Sequence, residues 1–348
     1  MAGHARPADP GRAGRDDHDA RRLRDRRRRA GLDAPARLAG RPRDDVTRRY
    51  PGSVPLIDPP RRSTTLADGR RLTWQEFGVP DGEPVLYFHG GGSTGLEGGI
   101  FHREAVRNGI RLIAPNRPGA AGSSLCPGRP VGAYSDDVTE LLDGLAVGTL
   151  ACVGESNGGL VTMAVAATIP ERIIGAVPVN PTLPWFDPVA RQVSSRSAAT
   201  GYRLIRYAPR LAAALERYSP ARTRRSTSAP DADGPGPRVD PAGPPPGIEH
   251  DVGEFHRRVL TERAGRQALL AEMRWASARW GFDHYSIPVP LDIFCGAHDA
   301  QAPFALVLAD RNPAARFHHF SFGHLGYSHP NARRRIIATV ADYRDARR

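Results

Sequence analysis

The sequence predicts an α/β fold: a mostly parallel sheet with helices on both faces, interrupted late in the chain by a helical insertion. Three features carry that expectation. Short apolar runs alternate with amphipathic stretches from about residue 59 to 179, the alternation breaks after Pro181, and it resumes at Leu291. Strands that alternate with helices in this way run parallel and are buried on both faces.

Taken in order, residues 63–66 and 72–77 read as strands around an Asp68-Gly69 turn. Residues 84–88 form a short apolar strand that ends in His89-Gly90-Gly91-Gly92. Helical spacing follows over 97–108, a strand over 110–114, and a helix over 135–145 with Ser135 as its cap. A strand over 150–153, a helix over 157–168 and a strand over 173–179 complete the first run. The insertion has helical spacing over 201–218 and 254–278. Between these lies a Pro, Gly, Ser, Arg and Asp tract at about 219–247, which includes Pro244-Pro245-Pro246 and is expected to be flexible. The chain then returns to a strand over 291–295, a helix over 303–310, a strand over 316–320 and a closing helix over 332–343. The expected organisation is a core built from 56–182 and 286–348 around an insertion at 183–285.

Composition fits this reading and excludes others. The 348 residues are 40% hydrophobic, which suits one large domain with an insertion. Residues 1–55 are rich in Arg, Asp, Ala, Gly and Pro, with too little apolar surface to offset chain entropy, so a disordered tail is expected there. Deletion of residues 1–50 should leave catalysis unchanged. Fifteen Arg and eight Asp in the first 50 residues account for +7 of the net +12, and the remaining mild excess forms no basic stripe. Nucleic acid is therefore not an expected partner. All 49 basic residues are arginine, which excludes lysine Schiff-base chemistry. Cys126, Cys152 and Cys295 make neither a disulfide framework nor a zinc site, and the last two read as buried filler in strands. No run approaches the roughly 18 to 20 apolar residues of a membrane span, and no signal-peptide pattern opens the chain, so a cytoplasmic location is expected and no membrane partner.

The chemistry is carried by a set of turns. Gly154-Glu155-Ser156-Asn157-Gly158 fits G-x-S-x-G, and it falls between an apolar strand and a helix, the context that gives this short string meaning. Such a tight turn projects a serine hydroxyl above the sheet, and glycines two positions to either side remove collisions. Attack by that hydroxyl on an acyl carbonyl creates an alkoxide, which needs preorganised N–H donors. The N–H of Asn157 at the helix start and that of Gly91 or Gly92 are the candidates, with His89 bracing the loop. Serine is a weak nucleophile at neutral pH, so an imidazole must take its proton and a carboxylate must orient that imidazole. Asp299 follows the strand at 291–295 and His324 follows the strand at 316–320, in the chain order serine, acid, histidine. His298, His318, His319 and His329 are weaker candidates for the base, and Asp187 is a weaker candidate for the acid.

Together these motifs resemble the α/β-hydrolase family over residues 59–182 and 286–346. Arg111-Leu112-Ile113-Ala114-Pro115-Asn116-Arg117-Pro118-Gly119 is similar to that family's APDRPG segment, with Asn116 where aspartate is usual, and Trp280-Gly281-Phe282-Asp283 resembles the end of many cap regions. The resemblance implies an eight-stranded, mostly parallel sheet, a helical cap over the site, and neither metal nor organic cofactor. It also implies hydrolysis of a small ester or similar acyl compound through Ser156, Asp299 and His324, the cap suggesting a hydrophobic acyl or alcohol group. Proline-iminopeptidase-like, C–C bond hydrolase and perhydrolase activities use the same three groups. A catalytically silent ligand-binding member is the reading from another class. An aminopeptidase would need carboxylates to grip the substrate amine, and the sequence assigns none. Serine in place of aspartate at position 156 disfavours haloalkane dehalogenase and epoxide hydrolase chemistry, whose alkyl-enzyme step uses a carboxylate.

Overall fold

Eight strands hydrogen-bond into one sheet: β1 (Arg62–Thr65), β2 (Arg71–Gly78), β3 (Glu83–Phe88), β4 (Ile110–Pro115), β5 (Leu150–Glu155), β6 (Ile173–Val179), β7 (Leu291–Gly296) and β8 (Ala315–Phe320). Their order across the sheet is β1-β2-β4-β3-β5-β6-β7-β8. β2 is antiparallel to both of its neighbours, and every other pair is parallel. The expected eight-stranded, mostly parallel sheet is therefore present. This computed structural model describes residues 59–194, 196–217, 263–321 and 323–346. The Arg-rich segment 1–55 and the 219–247 tract lie outside the described residues.

The period-two alternation of the strands divides the core between the two faces. On one face Leu86, Phe88, Ile113 and Cys152 pack with Leu160 and Val161 of α3 (Asn157–Thr168) and with α2 (Tyr134–Gly144), where Val138, Leu141 and Leu142 are buried. On the other, Val85, Tyr87, Leu112, Ala151 and Val153 pack with Ile336, Ile337 and Val340 of α9 (Pro330–Asp345) and with Ala105 of α1 (His102–Arg107). Central β5 and β7 are buried at every position, whereas edge strand β8 is mostly not. Between β6 and β7 the described chain forms α4 (Pro188–Val193), α5 (Arg196–Tyr207), α6 (Pro209–Arg217) and α7 (Arg263–Ser277), and α8 (Ala302–Arg311) follows β7.

Three elements differ from the sequence reading. The stretch expected as one helix over 97–108 is a 3-10 turn, Gly95–Phe101, followed by α1. There the chain crosses close over the sheet, and a Cβ on Gly98 would stand 3.1 Å from the Phe77 ring. Ser135 does not cap α2: a 3-10 turn at Val131–Ala133 feeds straight into the helix, and the Ser135 hydroxyl donates back to the Gly132 carbonyl at 2.7 Å. The helix expected over 201–218 is split in two because Pro209, which has no N–H and disfavours helical geometry at Ala208, starts α6 afresh.

Candidate active site

The turn after β5 holds Ser156 at φ 54°, ψ −116°, a strained conformation for a residue with a side chain, of a kind that costs on the order of 1–3 kcal/mol. Its surroundings enforce it. The Ser156 N–H donates to the Val179 carbonyl at 2.9 Å, while the Ser156 carbonyl accepts from Leu160 N–H at 3.2 Å and Thr182 N–H at 3.1 Å. The flanking glycines are sterically required. A Cβ on Gly154 would meet the Gly158 carbonyl carbon at 2.7 Å, and one on Gly158 would overlap the Phe88 carbonyl oxygen. The serine is half-buried at the carboxyl edge of the sheet, where ligands bind in open α/β folds.

Asp299 and His324 arrive at the same edge from β7 and β8. Their side chains meet with His324 Nδ1 2.6 Å from Asp299 Oδ2. The carboxylate is buried, with 3% of its side chain exposed, while the imidazole retains 33%. The other carboxylate oxygen, Oδ1, accepts the Gln301 N–H at 2.9 Å, so both oxygens of the acid are fixed. An aspartate that accepts the Nδ1 proton leaves the imidazole lone pair on Nε2. Asn180, which the sequence reading missed, links the two loops. Its Nδ2 donates to the His324 carbonyl at 2.6 Å and its Oδ1 accepts the Gly296 N–H at 2.8 Å.

The glycine loop after β3 is held on three sides by groups the sequence did not single out. Glu97 Oε2 accepts the Gly90 N–H at 2.6 Å, and Glu272 Oε2, from α7, accepts the Gly92 N–H at 3.2 Å. Arg117 donates through Nη2 to the Gly90 carbonyl at 2.7 Å and through Nη1 to the His89 carbonyl, and its Nε pairs with Glu272 Oε1 at 2.7 Å. The two glycines left open by the sequence are thereby distinguished. Gly92 has its N–H committed and sits at φ 71°, whereas the Gly91 N–H has no hydrogen-bond partner among the described residues. A Cβ on Gly91 would stand 2.7 Å from Asn157 Nδ2, so the loop and the start of α3 are in close approach. Asn157 is itself pinned by the Thr182 hydroxyl, which donates to its Oδ1 at 2.6 Å.

Beneath this loop lie two buried acids, Glu97 and Glu155. The Tyr327 hydroxyl donates to Glu97 Oε1 at 2.8 Å, and a Cβ on Gly90 would overlap the Glu155 carboxyl. Burial, and then the neighbouring Glu97 charge, push the Glu155 carboxyl well above the usual carboxylate range.

Of the rival residues, His318, His329 and Asp187 have other partners. His318 Nε2 lies 2.5 Å from Asp292 Oδ1, and His329 Nδ1 accepts the Asn331 N–H at the start of α9. Asp187 accepts from Val189 and Ala190 N–H at the start of α4 and lies 3.1 Å from His284 Nε2. His89 is fully buried, with Nδ1 on the Gly90 carbonyl at 2.9 Å and Nε2 accepting the Arg117 N–H at 3.3 Å. Asn116 accepts from Gly95 N–H at 2.7 Å and donates to Thr73 and Gln75, a bracing role. Cys152 and Cys295 are buried, and burial raises both thiols, which leaves them unreactive. Among the described residues no cluster of three His, Cys, Asp or Glu side chains is placed to hold a metal ion, and no helix is long and apolar enough to cross a membrane.

Strand order, the strained serine turn and the acid–histidine contact together give the chain an α/β-hydrolase fold. A sequence model of the α/β-hydrolase fold matches residues 83–228. Among curated proteins, the chain is 34% identical over 106 residues to the dihydrolipoyllysine-residue acetyltransferase component of the acetoin cleaving system of Pseudomonas putida, covering 30% of this chain and 28% of that protein. It is 29% identical over 123 residues to a proline iminopeptidase of Neisseria meningitidis, covering 32% of this chain and 37% of the relative. The chain thus matches only about a third of the length of these relatives. Among solved structures, a thermophilic esterase from Thermogutta terrifontis superposes with a TM-score of 0.58 at 20% identity, over 82% of this chain and 98% of that one, a likeness of fold.

Proposed function

We propose that this chain is a serine hydrolase that cleaves a small ester or similar acyl compound through an acyl-enzyme on Ser156. The observation that carries this reading is the 2.6 Å contact between buried Asp299 and His324 at the sheet edge that also bears the strained Ser156 turn. In the first half-reaction His324 Nε2 takes the proton of Ser156 Oγ as the oxygen attacks the acyl carbon. The carbonyl oxygen becomes an alkoxide facing the N–H groups of Gly91 and Asn157. Collapse of this intermediate breaks the bond to the leaving alcohol, which takes the proton back from His324. In the second, His324 removes a proton from water, the hydroxide attacks the acyl carbon, and the acid departs as Ser156 recovers its proton. Asp299 keeps the imidazole in the required tautomer and stabilises its cation. Each oxyanion donor of this kind is worth about 2.7–4 kcal/mol in enzymes where one was removed. In this proposal the helices between β6 and β7 act as the cap and 56–182 with 286–348 as the core.

A proline-iminopeptidase-type reaction would need a free carboxylate for the substrate amine. Among the described residues, the insertion carboxylate that reaches the glycine loop is Glu272, and it is already paired with Arg117, an arrangement that supports esters over amines. The test is turnover of p-nitrophenyl esters of graded acyl length together with labelling by a fluorophosphonate probe. Ser156→Ala and His324→Ala should abolish turnover with folding intact, and the label should map to Ser156. A near-normal rate in either variant removes that residue from the mechanism, and an unlabelled Ser156 identifies a silent binder.

A further inference from the structure

Glu97 and Glu155 take no part in the acyl-transfer steps, yet they lie where the loops that perform those steps meet. Glu155 directly precedes Ser156 and ends β5, an apolar strand in which a carboxyl group is costly unless it finds a partner. It is 3% exposed, and Glu97, in the 3-10 turn Gly95–Phe101, is fully buried. Both oxygens of Glu97 are committed: Oε2 accepts the Gly90 N–H at 2.6 Å and Oε1 accepts the Tyr327 hydroxyl at 2.8 Å. Gly90 precedes Gly91, whose N–H is the candidate oxyanion donor, and Tyr327 belongs to the same 3-10 turn, His324–Ser328, as the candidate base. The Glu155 carboxyl makes the third connection. It hydrogen-bonds the Glu97 carboxyl and packs so closely on Gly90 that a Cβ there would overlap it.

Packing holds this arrangement. Phe101, at the end of the Glu97 turn, stacks on the Tyr327 ring with centroids 6.4 Å apart and lies 5.5 Å from the Tyr87 ring. Within the His324 turn the Gly323 carbonyl accepts the Gly326 N–H at 2.9 Å and the Leu325 carbonyl accepts the Ser328 hydroxyl at 2.8 Å, so a displacement of Tyr327 carries His324 with it.

Two carboxyl groups can hydrogen-bond only when one of them carries a proton. Because both Glu97 oxygens already accept, the donor is Glu155. Burial, the largest effect, opposes charge on Glu155, as do Glu97 and Asp299, while Arg117 favours it. The phenols of Tyr87 and Tyr327 face the same pair, and burial raises both well above the usual phenol range. Resting on the acyl-transfer reading above, we propose that Glu97 and Glu155 are positioning residues: a Glu155 O–H donated to Glu97 completes a tie that holds the Ser156 turn, the Gly91 loop and the His324 turn in register. The acids act through these loops and not on the substrate. The tie therefore sets rate, through the distances between nucleophile, base and oxyanion donor, and leaves substrate binding alone.

Glu155→Gln and Glu155→Met distinguish a tie from a filler. Both are neutral and similar in length to the natural side chain, but only Glu155→Gln retains a donor for Glu97. For p-nitrophenyl esters, kcat of Glu155→Gln should exceed that of Glu155→Met by about tenfold or more, with KM values within about twofold of each other. Tyr327→Phe keeps the ring on Phe101 but frees the His324 turn from Glu97, and it should lower kcat about tenfold with KM little changed. It also carries the test should Glu155→Met fail to fold. Equal kcat in the two Glu155 variants, or a natural kcat in Tyr327→Phe, overturns the proposal. Hydrogen exchange read by mass spectrometry needs no turnover and so separates this inference from the reaction itself. Segments 89–93 and 323–328 should exchange about tenfold faster in Glu155→Met and Tyr327→Phe than in Glu155→Gln. That pattern supports the tie even if Ser156 resists the fluorophosphonate, and equal exchange in all three variants refutes it even if simple esters turn over.

Discussion

The Asn180 side chain spans two loops of the candidate site, donating to the main-chain carbonyl of His324 at 2.6 Å while accepting the Gly296 N–H at 2.8 Å. Asn180 also sits at φ 43°, a region asparagine tolerates better than most residues. Asn180→Gly would remove any backbone cost along with both hydrogen bonds. We expect it to lower kcat for p-nitrophenyl esters about tenfold with KM little changed, and to lower stability by about 1–3 kcal/mol because the Gly296 N–H loses its partner. Steady-state kinetics and urea unfolding measure the two effects, and an unchanged kcat would mean that His324 is positioned without this strut.

Asp299→Asn keeps the shape of the acid but presents an N–H to His324 Nδ1, which forces the opposite tautomer and puts the remaining proton on Nε2. Turnover should fall by about 10⁴-fold at neutral pH while the fold is unaffected. Circular dichroism beside the ester assay separates this from misfolding.

The raised Glu155 carboxyl makes a prediction with a definite sign. Its proton affinity in the folded chain exceeds that of an ordinary carboxylate, so the folded state holds more protons than the unfolded state above about pH 4.3. The contribution of this group to stability is complete below that pH and declines as pH rises toward the folded-state value. Glu155→Gln stays neutral throughout. The melting temperature of the variant relative to the natural chain should therefore climb between pH 5 and 8, and a difference that is flat with pH would show that Glu155 does not retain its proton.

Glu272→Gln leaves an acceptor for the Gly92 N–H but strands the charge of Arg117, whose side chain is fully buried. Breaking such a pair from one side costs about 3–5 kcal/mol, whereas replacing both partners with apolar residues of similar volume costs far less. Urea unfolding of Glu272→Gln beside the Arg117→Met, Glu272→Leu double variant should show the single change as the more damaging.

The candidate site was legible in the sequence wherever local spacing fixes position. The glycines around Ser156 mark a turn too tight for side chains, and Asp299 and His324 each fall in the loop after a strand, at 291–295 and 316–320, so their arrival at one sheet edge follows from a parallel sheet. Asn180, Glu97, Glu155, Arg117 and Glu272 were not legible, because their roles come from partners far away in the chain. Arg117 and Glu272 are 155 residues apart, and Asn180 and His324 are 144 apart. The same limit accounts for Ser135, a good cap by residue type, which instead turns its hydroxyl back to Gly132 because the preceding 3-10 turn already feeds the helix. It also accounts for the choice between Gly91 and Gly92, which depends on a carboxylate supplied by α7.

Insertions between β6 and β7 look like interchangeable modules, since the sheet closes without them. In this chain the exchange has a hidden constraint. A chimera that carried another protein's segment in place of 183–285 would import a new pocket but lose Glu272, the acid that forms the ion pair with Arg117 among the described residues, and with it the grip on the His89 and Gly90 carbonyls. Grafts that bring a carboxylate to the equivalent point on their last helix should fold and function, and grafts that lack one should need Arg117 replaced as well.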